Sequence, residues 1–177
     1  SYPKALIFDC TGKVIVPSTY DNDRNTGLNI DSPQVGLLLP MRGAGTPHNL
    51  LVGGPSYLHC FWAAGPHAEK FAGRKAGCFK HLAYWQPAGE IPILFAATDL
   101  GLLHAYRATK QTNEALEIGT LWTADASDRI TALQVAGNGR VFVGGKSGAV
   151  QLLDALTGKC LGRTAAGGSP VVKFVTT

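Results

Sequence analysis

Long apolar runs, paired cysteines and a high density of charge are all missing from this 177-residue sequence. No run of roughly 18 apolar residues occurs, so no membrane-spanning helix is expected. Charged residues make up 16% of the chain, against about a quarter in ordinary globular proteins, which argues against long charged helices. The first residues lack Met and show no charged segment followed by an apolar one. No signal peptide is therefore expected, and the missing Met favours a chain that begins inside a longer one.

The four cysteines are Cys10, Cys60, Cys78 and Cys160, and no two of them form a CxxC pair. This wide spacing predicts buried, unreactive thiols in a reducing, intracellular compartment. Secretion with two disulfides is an alternative, but the spacing gives no argument for it. The net charge of +4 is common on proteins that never touch nucleic acid.

Glycine, in contrast, is abundant. The sequence has 22 glycines and 10 prolines, a profile that suits many short strands joined by tight turns. A chain of this size buries roughly 70% of the surface that it exposes when unfolded. We therefore expect one all-β domain over 1–177.

Four segments of the chain resemble one another, and they recur about 45 residues apart. Each has an apolar run, a short turn of small or polar residues and a second apolar run, which predicts a strand-turn-strand hairpin. Glycine stands in three of the turns, as Gly12, Gly101 and Gly148, and Tyr57 takes the equivalent place in the second. These turns need a positive φ, which glycine adopts without strain. The four segments are 6–16, 50–61, 94–106 and 141–153.

A further apolar stretch precedes three hairpins, at 35–39, 79–85 and 129–135, and a fourth copy lies at 171–175. A more polar segment able to carry an outer strand follows each hairpin. Short strands in repeats of this length predict a β-propeller of about four blades. The approximate blades are 1–33, 34–77, 78–127 and 128–169, with 170–177 as a closing or next-blade strand. Pairing of 171–175 with the 6–16 hairpin would close a four-blade ring; otherwise the four blades belong to a larger propeller.

Two smaller features fit this scheme. Residues 109–117 have some helical character and are interpreted as an insertion between outer strands. Trp62, Trp85 and Trp122 lie near segment ends at blade borders, where we expect them to pack between neighbouring blades.

The fourth repeat resembles the WD40 and quinoprotein-like propeller superfamilies. Its sequence reads ITAL at 130–133, VFVGGKSG at 141–148 and LDALTGK at 153–159, and the third repeat reads FAATDLGLLHA at 95–105. The Gly-His and Trp-Asp pairs of WD40 blades are missing, as are the adjacent cysteines and fixed blade tryptophans of quinoprotein enzymes. The resemblance therefore implies only the architecture. Because these superfamilies consist mostly of interaction platforms, it also implies a scaffolding function.

One loop has the spacing of a calcium site. Asp21, Asp23, Asn25 and Asn29 place side-chain oxygen atoms at positions 1, 3, 5 and 9 of a polar stretch, and a hard cation prefers oxygen ligands. Thr26 stands where the sharp turn needs glycine, and position 12 of the loop lacks glutamate. The alternative is an Asx-rich surface loop between blades.

Basic residues are densest at Lys70, Arg74, Lys75 and Lys80, with aromatic residues among them. We predict that these four residues contact a partner. An acidic protein face and single-stranded RNA both suit such a surface, because the phosphates of RNA attract lysines and its bases stack on aromatic rings. A solvated loop is the plain alternative. Lys146 lies in a Gly-Lys-Ser sequence that resembles the end of a P-loop, but its place between two strands predicts a hairpin turn.

These observations predict a non-catalytic protein-interaction scaffold, a subunit or docking module of a larger complex, with no cofactor. Its contacts are expected in the polar loops 20–29, 65–78 and 110–117. One alternative is an RNA-associated subunit that uses the basic loop 70–81. The other is an enzyme or ligand-binding propeller with a central-channel site. The polar inner-strand residues available to such a site are Lys80, His81, Thr131, Gln134 and Lys173.

Overall fold

The structure is a computed structural model that describes residues 7–8, 14–16, 34–39, 49–54, 58–61, 68–72, 77–111, 116–165 and 167–175. All the secondary-structure elements within these ranges are β-strands, so the predicted all-β class is confirmed. None of the described residues forms a helix long and apolar enough to cross a membrane.

Fourteen strands follow one another along the described residues. They are β1 (Ile7–Phe8), β2 (Val14–Val16), β3 (Val35–Leu39), β4 (Asn49–Gly53), β5 (Leu58–Phe61), β6 (Ala68–Ala72), β7 (Phe79–Trp85), β8 (Ile93–Thr98), β9 (Leu102–Gln111), β10 (Leu116–Asp125), β11 (Ile130–Ala136), β12 (Arg140–Gly145), β13 (Val150–Asp154) and β14 (Cys160–Arg163).

The strands form four antiparallel sheets that follow the order of the chain. The first sheet is the β1–β2 pair, and the second, third and fourth sheets are the four-stranded meanders β3–β6, β7–β10 and β11–β14. Each meander consists of a first strand, a hairpin and a fourth strand at the opposite edge. These three sheets fall within the predicted repeats 34–77, 78–127 and 128–169.

Two of the predicted turn glycines take the expected conformation. Gly101, in the β8–β9 turn, has a φ of 80°, and Gly148, in the β12–β13 turn, has a φ of 86°. Side chains at such angles are strained, so glycine is the residue that fits. The Gly-Lys-Ser sequence lies in the β12–β13 turn, where Gly148 donates its N–H to the carbonyl of Gly145 at 3.1 Å, which confirms a hairpin turn. Gly12 and Tyr57 lie outside the described residues.

The third sheet is longer at one end than the polar sequence of 109–117 predicts. Its strands β9 and β10 pair as far as Gln111 opposite Leu116, and Lys110 lies opposite Glu117. The prediction of a loop over 110–117 is therefore wrong at both ends, because backbone pairing between the two strands continues past the point where the sequence becomes polar, and 112–115 lie outside the described residues.

The core consists of two layers, one on each face of the third sheet. Strand β8 is buried along its whole length, because successive side chains of a strand point to opposite faces and both faces here are covered. Leu94 and Ala96 join a cluster with Leu58 of the second sheet, and Phe95 and Ala97 join one with Val141 of the fourth. The three meanders are therefore stacked face to face in chain order.

The first strands bring successive sheets closest together. Strand β7 lies beside β3 and β4 of the second sheet and beside β11 of the fourth. A Cβ atom on Gly53 would lie 2.7 Å from the Cβ of Phe79, so glycine is needed where the second and third sheets meet. Phe79 also donates its backbone N–H to the carbonyl of Gly54 at 3.1 Å.

Two tryptophans of the third sheet form hydrogen bonds to turns of the fourth. The indole of Trp85 donates to the carbonyl of Gly137 at 2.9 Å, and that of Trp122 donates to the carbonyl of Ala155 at 3.0 Å. Trp122 also packs on Phe95, with ring centroids 5.8 Å apart. The predicted packing of these two tryptophans between neighbouring sheets is confirmed, and Trp62 lies outside the described residues.

The prediction of buried thiols is wrong for Cys160. This residue begins β14, the fourth strand of the fourth sheet, whose four residues are all exposed. Cys78 is half-buried, and both thiols are free. Strand β14 lies at the edge of the fourth sheet, and this position leaves Cys160 in solvent.

Candidate partner-binding site

The predicted basic surface is divided between two sheets. Lys70 lies in β6, at the far edge of the second sheet, opposite His59 of β5. Lys80 is the second residue of β7, the first strand of the third sheet. Arg74 and Lys75, which connect them, lie outside the described residues. Lys70 and Lys80 therefore belong to strands at opposite edges of successive sheets. The predictions of a loop over 65–78 and of a basic loop over 70–81 are wrong where β6 and β7 occupy them, because these residues pair with the neighbouring strands of their sheets.

Lys80 makes a specific contact with the preceding sheet. Its Nζ donates to the Oε1 of Gln34 at 2.9 Å, and Gln34 immediately precedes β3. The two residues hold equivalent positions at the beginnings of successive first strands. The contact is exposed, so it aligns the two strands and contributes little to stability.

Thr131 makes the corresponding contact, but with the segment that follows its sheet in the chain and not with the sheet before it. It is the second residue of β11, and its hydroxyl donates to the carbonyl of Val171 at 2.7 Å and to that of Gly144 at 3.3 Å. Polar side chains thus join the beginning of β7 to the residue before β3, and the beginning of β11 to Val171.

His81 also faces a neighbouring sheet through a hydrogen bond with the backbone of Ile130. Burial holds the pKa of this imidazole below its ordinary value, the charge of Lys80 lowers it further, and the bond to Ile130 acts in the opposite sense. The neutral ring is therefore favoured. Of the other polar residues predicted near the axis, Gln134 is half-buried and Lys173 is exposed.

The side chain of His104 lies in the layer between the second and third sheets. Its ring stacks on Tyr106 at 6.0 Å and meets the edge of Phe79 at 6.3 Å. Its Nδ1 is 3.0 Å from the hydroxyl of Thr123, and its Nε2 is buried without a hydrogen-bond partner among the described residues. Burial lowers the pKa of His104 and raises that of Tyr106 to about 12.

Carboxylates of the fourth sheet shape its turns. Asp128 accepts hydrogen bonds from the N–H of Ser147 at 2.8 Å and from its hydroxyl at 2.6 Å. Asp154 accepts from the hydroxyl of Thr157 at 2.9 Å and from its N–H at 3.0 Å. These bonds lower the pKa of both carboxyl groups and hold the two turns in shape.

No group of His, Cys, Asp or Glu side chains able to hold a metal ion occurs within the described ranges. The predicted calcium ligands Asp21, Asp23, Asn25 and Asn29 all lie outside those ranges, so calcium binding stays a prediction.

Residues 167–175 complete the side of the fourth sheet that faces away from the third. Val171 donates its N–H to the carbonyl of Gly145 at 3.1 Å, and the ring of Phe174 packs on Phe142 with centroids 5.8 Å apart. Val172 and Val175 are 85% and 79% exposed. Residues 171–175 belong to no strand of the described sheets.

Val171 meets the fourth sheet in the way that Phe79 meets the second. Both donate to the second glycine of a Val-Gly-Gly sequence, Gly145 and Gly54, at 3.1 Å. A Cβ atom on Gly144 would lie 2.5 Å from the Cβ of Val171, as close as the contact between Gly53 and Phe79. Residues 171–175 therefore take the position of a first strand for a further sheet.

The residues just before this first-strand position also make a repeated contact, in which a turn glycine packs against a backbone carbonyl. A Cβ atom on Gly101 would lie 2.5 Å from the carbonyl oxygen of Asp128, and one on Gly148 would lie 2.5 Å from that of Ser169. Asp128 is two residues before β11, and Ser169 is two residues before Val171. The apolar sequence of 171–175 predicts a strand there, but only the structure shows these contacts, since they depend on backbone carbonyls.

No family model matches the chain, and no curated protein matches it. Solved structures do match. The crystal structure of the computationally designed Ika4 protein is similar to this chain with a TM-score of 0.59 and 15% sequence identity. The match covers 80% of this chain and 86% of that chain. At this identity the likeness concerns the fold alone.

Proposed function

We propose that this chain contributes about four blades to a β-propeller and serves as a non-catalytic protein-interaction scaffold, a subunit or docking module of a larger complex. The second, third and fourth sheets would be consecutive blades, and the first sheet would be part of another. We include in this proposal the resemblance to WD40 and quinoprotein-like blades and an intracellular location.

The arrangement of the first strands supports the propeller. Strand β7 lies beside both β3 and β11, Lys80 joins β7 to the residue before β3, and Thr131 joins β11 to Val171. In a propeller, the inner strands of successive blades lie side by side around the axis, so the first strands would be these inner strands. The fourth strands β6, β10 and β14 would then lie at the rim.

One observation is the main support for the proposed assembly function. Residues 171–175 occupy a first-strand position, yet Val172 and Val175 are 85% and 79% exposed. An apolar segment held beside a sheet, with its outer edge free of strand partners in the described structure, is a place where another strand can add. The hydrogen bonds of Lys80, Thr131 and Asp128 to neighbouring structural groups support a scaffold over a central catalytic site.

The proposed function is tested by neutralising the basic residues that are predicted to contact a partner. The tagged 177-residue chain would capture proteins from its native source, beside a variant with Lys70→Gln, Arg74→Gln, Lys75→Gln and Lys80→Gln. The control neutralises four exposed basic residues of the fourth sheet and its turns, Arg129→Gln, Lys146→Gln, Lys159→Gln and Arg163→Gln. We expect defined proteins to be recovered with the wild type and the control and lost with the first variant.

RNA is the competing outcome of this experiment. If captured material disappears on ribonuclease treatment, binding to a labelled single-stranded oligonucleotide is measured at several salt concentrations. Each lost phosphate contact lowers the slope of log affinity against log salt by about 0.7. A reduced slope in the first variant alone would replace the protein-scaffold proposal with the RNA-associated one. Equal capture by all three chains would overturn the assignment of the basic residues to a partner surface.

A further inference from the structure

Two incomplete sheets occur in the described structure, and their missing parts are complementary. Residues 171–175 hold a first-strand position, and no hairpin of the described residues is paired with them. The first sheet, β1–β2, is a hairpin to which no described first strand is paired. In each four-stranded meander the first strand pairs with the first half of the hairpin, which corresponds here to β1.

We infer that 171–175 of one molecule pairs antiparallel with β1 of a second copy of this chain. The inference rests on the proposed propeller and names the partner of its open edge. Strand β1 and residues 171–175 are both described within one chain and are not paired with each other. A second copy supplies the same hairpin from outside.

The register of this pairing follows from the other sheets. Phe8 pairs with Val14 across the first turn, as Gly144 pairs with Val150 and Ala97 with Leu103 across theirs. Phe8 is therefore equivalent to Ala97, which lies opposite His81 in β7, and Ile7 is equivalent to Ala96, which lies opposite Leu82.

Val171 is equivalent to Phe79, so Lys173 is equivalent to His81 and Phe174 to Leu82. The same register places Lys173 opposite Phe8 and Phe174 opposite Ile7. Pairing in this register would cover Val172 and Val175 with a second molecule.

Symmetry makes the exchange reciprocal. A twofold axis lets each copy donate its β1–β2 hairpin and receive that of the other, so both open edges are closed at once. Two copies of about four blades give about eight, which is within the usual range for propellers. The product is a closed dimer without an unpaired first strand.

The pairing is tested with the full 177-residue chain carrying Ile7→Cys and Phe174→Cys. Residues opposite each other on paired strands have Cα atoms about 4.5–5.5 Å apart, which a disulfide can span. After mild oxidation, peptide mapping locates the disulfide between these positions and separates it from links through native cysteines. A covalent dimer joined from 7 to 174 is expected. The register control, Ile7→Cys with Val172→Cys, is expected to link at least tenfold less.

Sedimentation velocity provides the independent measurement. The wild type is expected to be a dimer, and Val172→Asp with Val175→Asp is expected to raise the dimer dissociation constant at least tenfold. Leu156→Asp with Leu161→Asp is the control, since Leu156 and Leu161 are 46% and 43% exposed. Leu156 lies in the turn between β13 and β14, and Leu161 lies in β14, at the edge of the fourth sheet opposite β11. Far-ultraviolet circular dichroism checks that each variant folds.

Three results would overturn the inference. They are a monomeric wild type, a 7–174 disulfide within a single chain, and a dimer that tolerates Val172→Asp with Val175→Asp. None of them would remove the proposed interaction function, because capture of partners through the basic residues is measured separately. Loss of that capture with an intact 7–174 dimer would overturn the proposed interaction function and leave the dimer inference in place.

Discussion

Trp122 and Ala155 join two sheets through one hydrogen bond of 3.0 Å, from the indole N–H of the third sheet to a turn carbonyl of the fourth. Gly158, in the same turn, has a φ of 70°, and a Cβ atom on it would lie 2.7 Å from the Trp122 ring. The ring therefore rests on the backbone of the turn. A flat aromatic surface and a glycine are both needed for this contact.

Trp122→Phe is expected to lower the free energy of unfolding by about 1 kcal/mol, because it removes the hydrogen bond and keeps most of the packing. Urea unfolding followed by circular dichroism measures the change. Trp85→Phe is the matched variant, and we expect a smaller loss because the bond from Trp85 to Gly137 is exposed. A larger loss for Trp85→Phe would show that exposure does not control the strength of these two bonds.

Gly144→Ala is expected to displace Val171, since the added Cβ atom would lie 2.5 Å from the Val171 Cβ. Crowding of this kind costs about 1–3 kcal/mol, and the Val171 amide is expected to exchange faster as its bond to Gly145 is lost. Hydrogen exchange followed by NMR checks this residue directly. Gly162→Ala is the control, because no atom lies within 4 Å of a Cβ there. Val171→Gly combined with Gly144→Ala is expected to restore part of the stability, and equal effects of the two alanine variants would contradict the close contact.

His104 predicts a loss of stability in mild acid. Burial holds its folded pKa below the ordinary 6.5, so the unfolded chain takes up a proton first as the pH falls. The free energy of unfolding then decreases below pH 6.5 until the folded state is protonated as well. Urea unfolding between pH 8 and roughly pH 5 should show this slope, and His104→Gln should reduce it. His81 contributes in the same direction, so the slope that remains in His104→Gln should decrease further when His81→Gln is added. An unchanged slope in the double variant would contradict this origin.

Asp128 predicts a second pH effect, in stronger acid. Its hydrogen bonds from Ser147 hold the folded pKa below the ordinary 3.8, so the stabilisation is complete above pH 3.8 and is lost as the pH falls through the folded pKa. Ser147→Ala removes the hydroxyl donor and should raise the pKa of Asp128, measured by NMR titration of its carboxyl carbon. Asp154, bonded to Thr157, is the control within the same molecule and should titrate as before. A shift of both groups would point to a general change in the fold.

The sequence predicted the hairpins well because their signals are local. Gly101 and Gly148 mark turns that need positive φ, and an apolar run on each side leaves few other structures. The packing of Trp85 and Trp122 was also predictable, since bulky aromatic residues at segment ends usually fill the space between neighbouring units.

Other features depend on contacts between distant residues and were not predictable. Thr131 looked like a polar group available to a central site, yet its hydroxyl donates to the carbonyl of Val171, 40 residues away. Cys160 looked like a core thiol, yet it lies on an edge strand. The strands β9 and β10 continue into a polar sequence because each supports the other. Composition carries no information on which carbonyl or which edge a residue will face.

The repeated contact of a glycine with the next first strand, Gly53 with Phe79 and Gly144 with Val171, has a consequence for the length of the protein. Because the two junctions use the same backbone shapes, the units that they connect are interchangeable in principle. Removal of one entire unit would bring together surfaces that already fit, and duplication of one would add a copy without a new kind of joint. Such a chain can gain or lose units by whole steps while its joints stay the same.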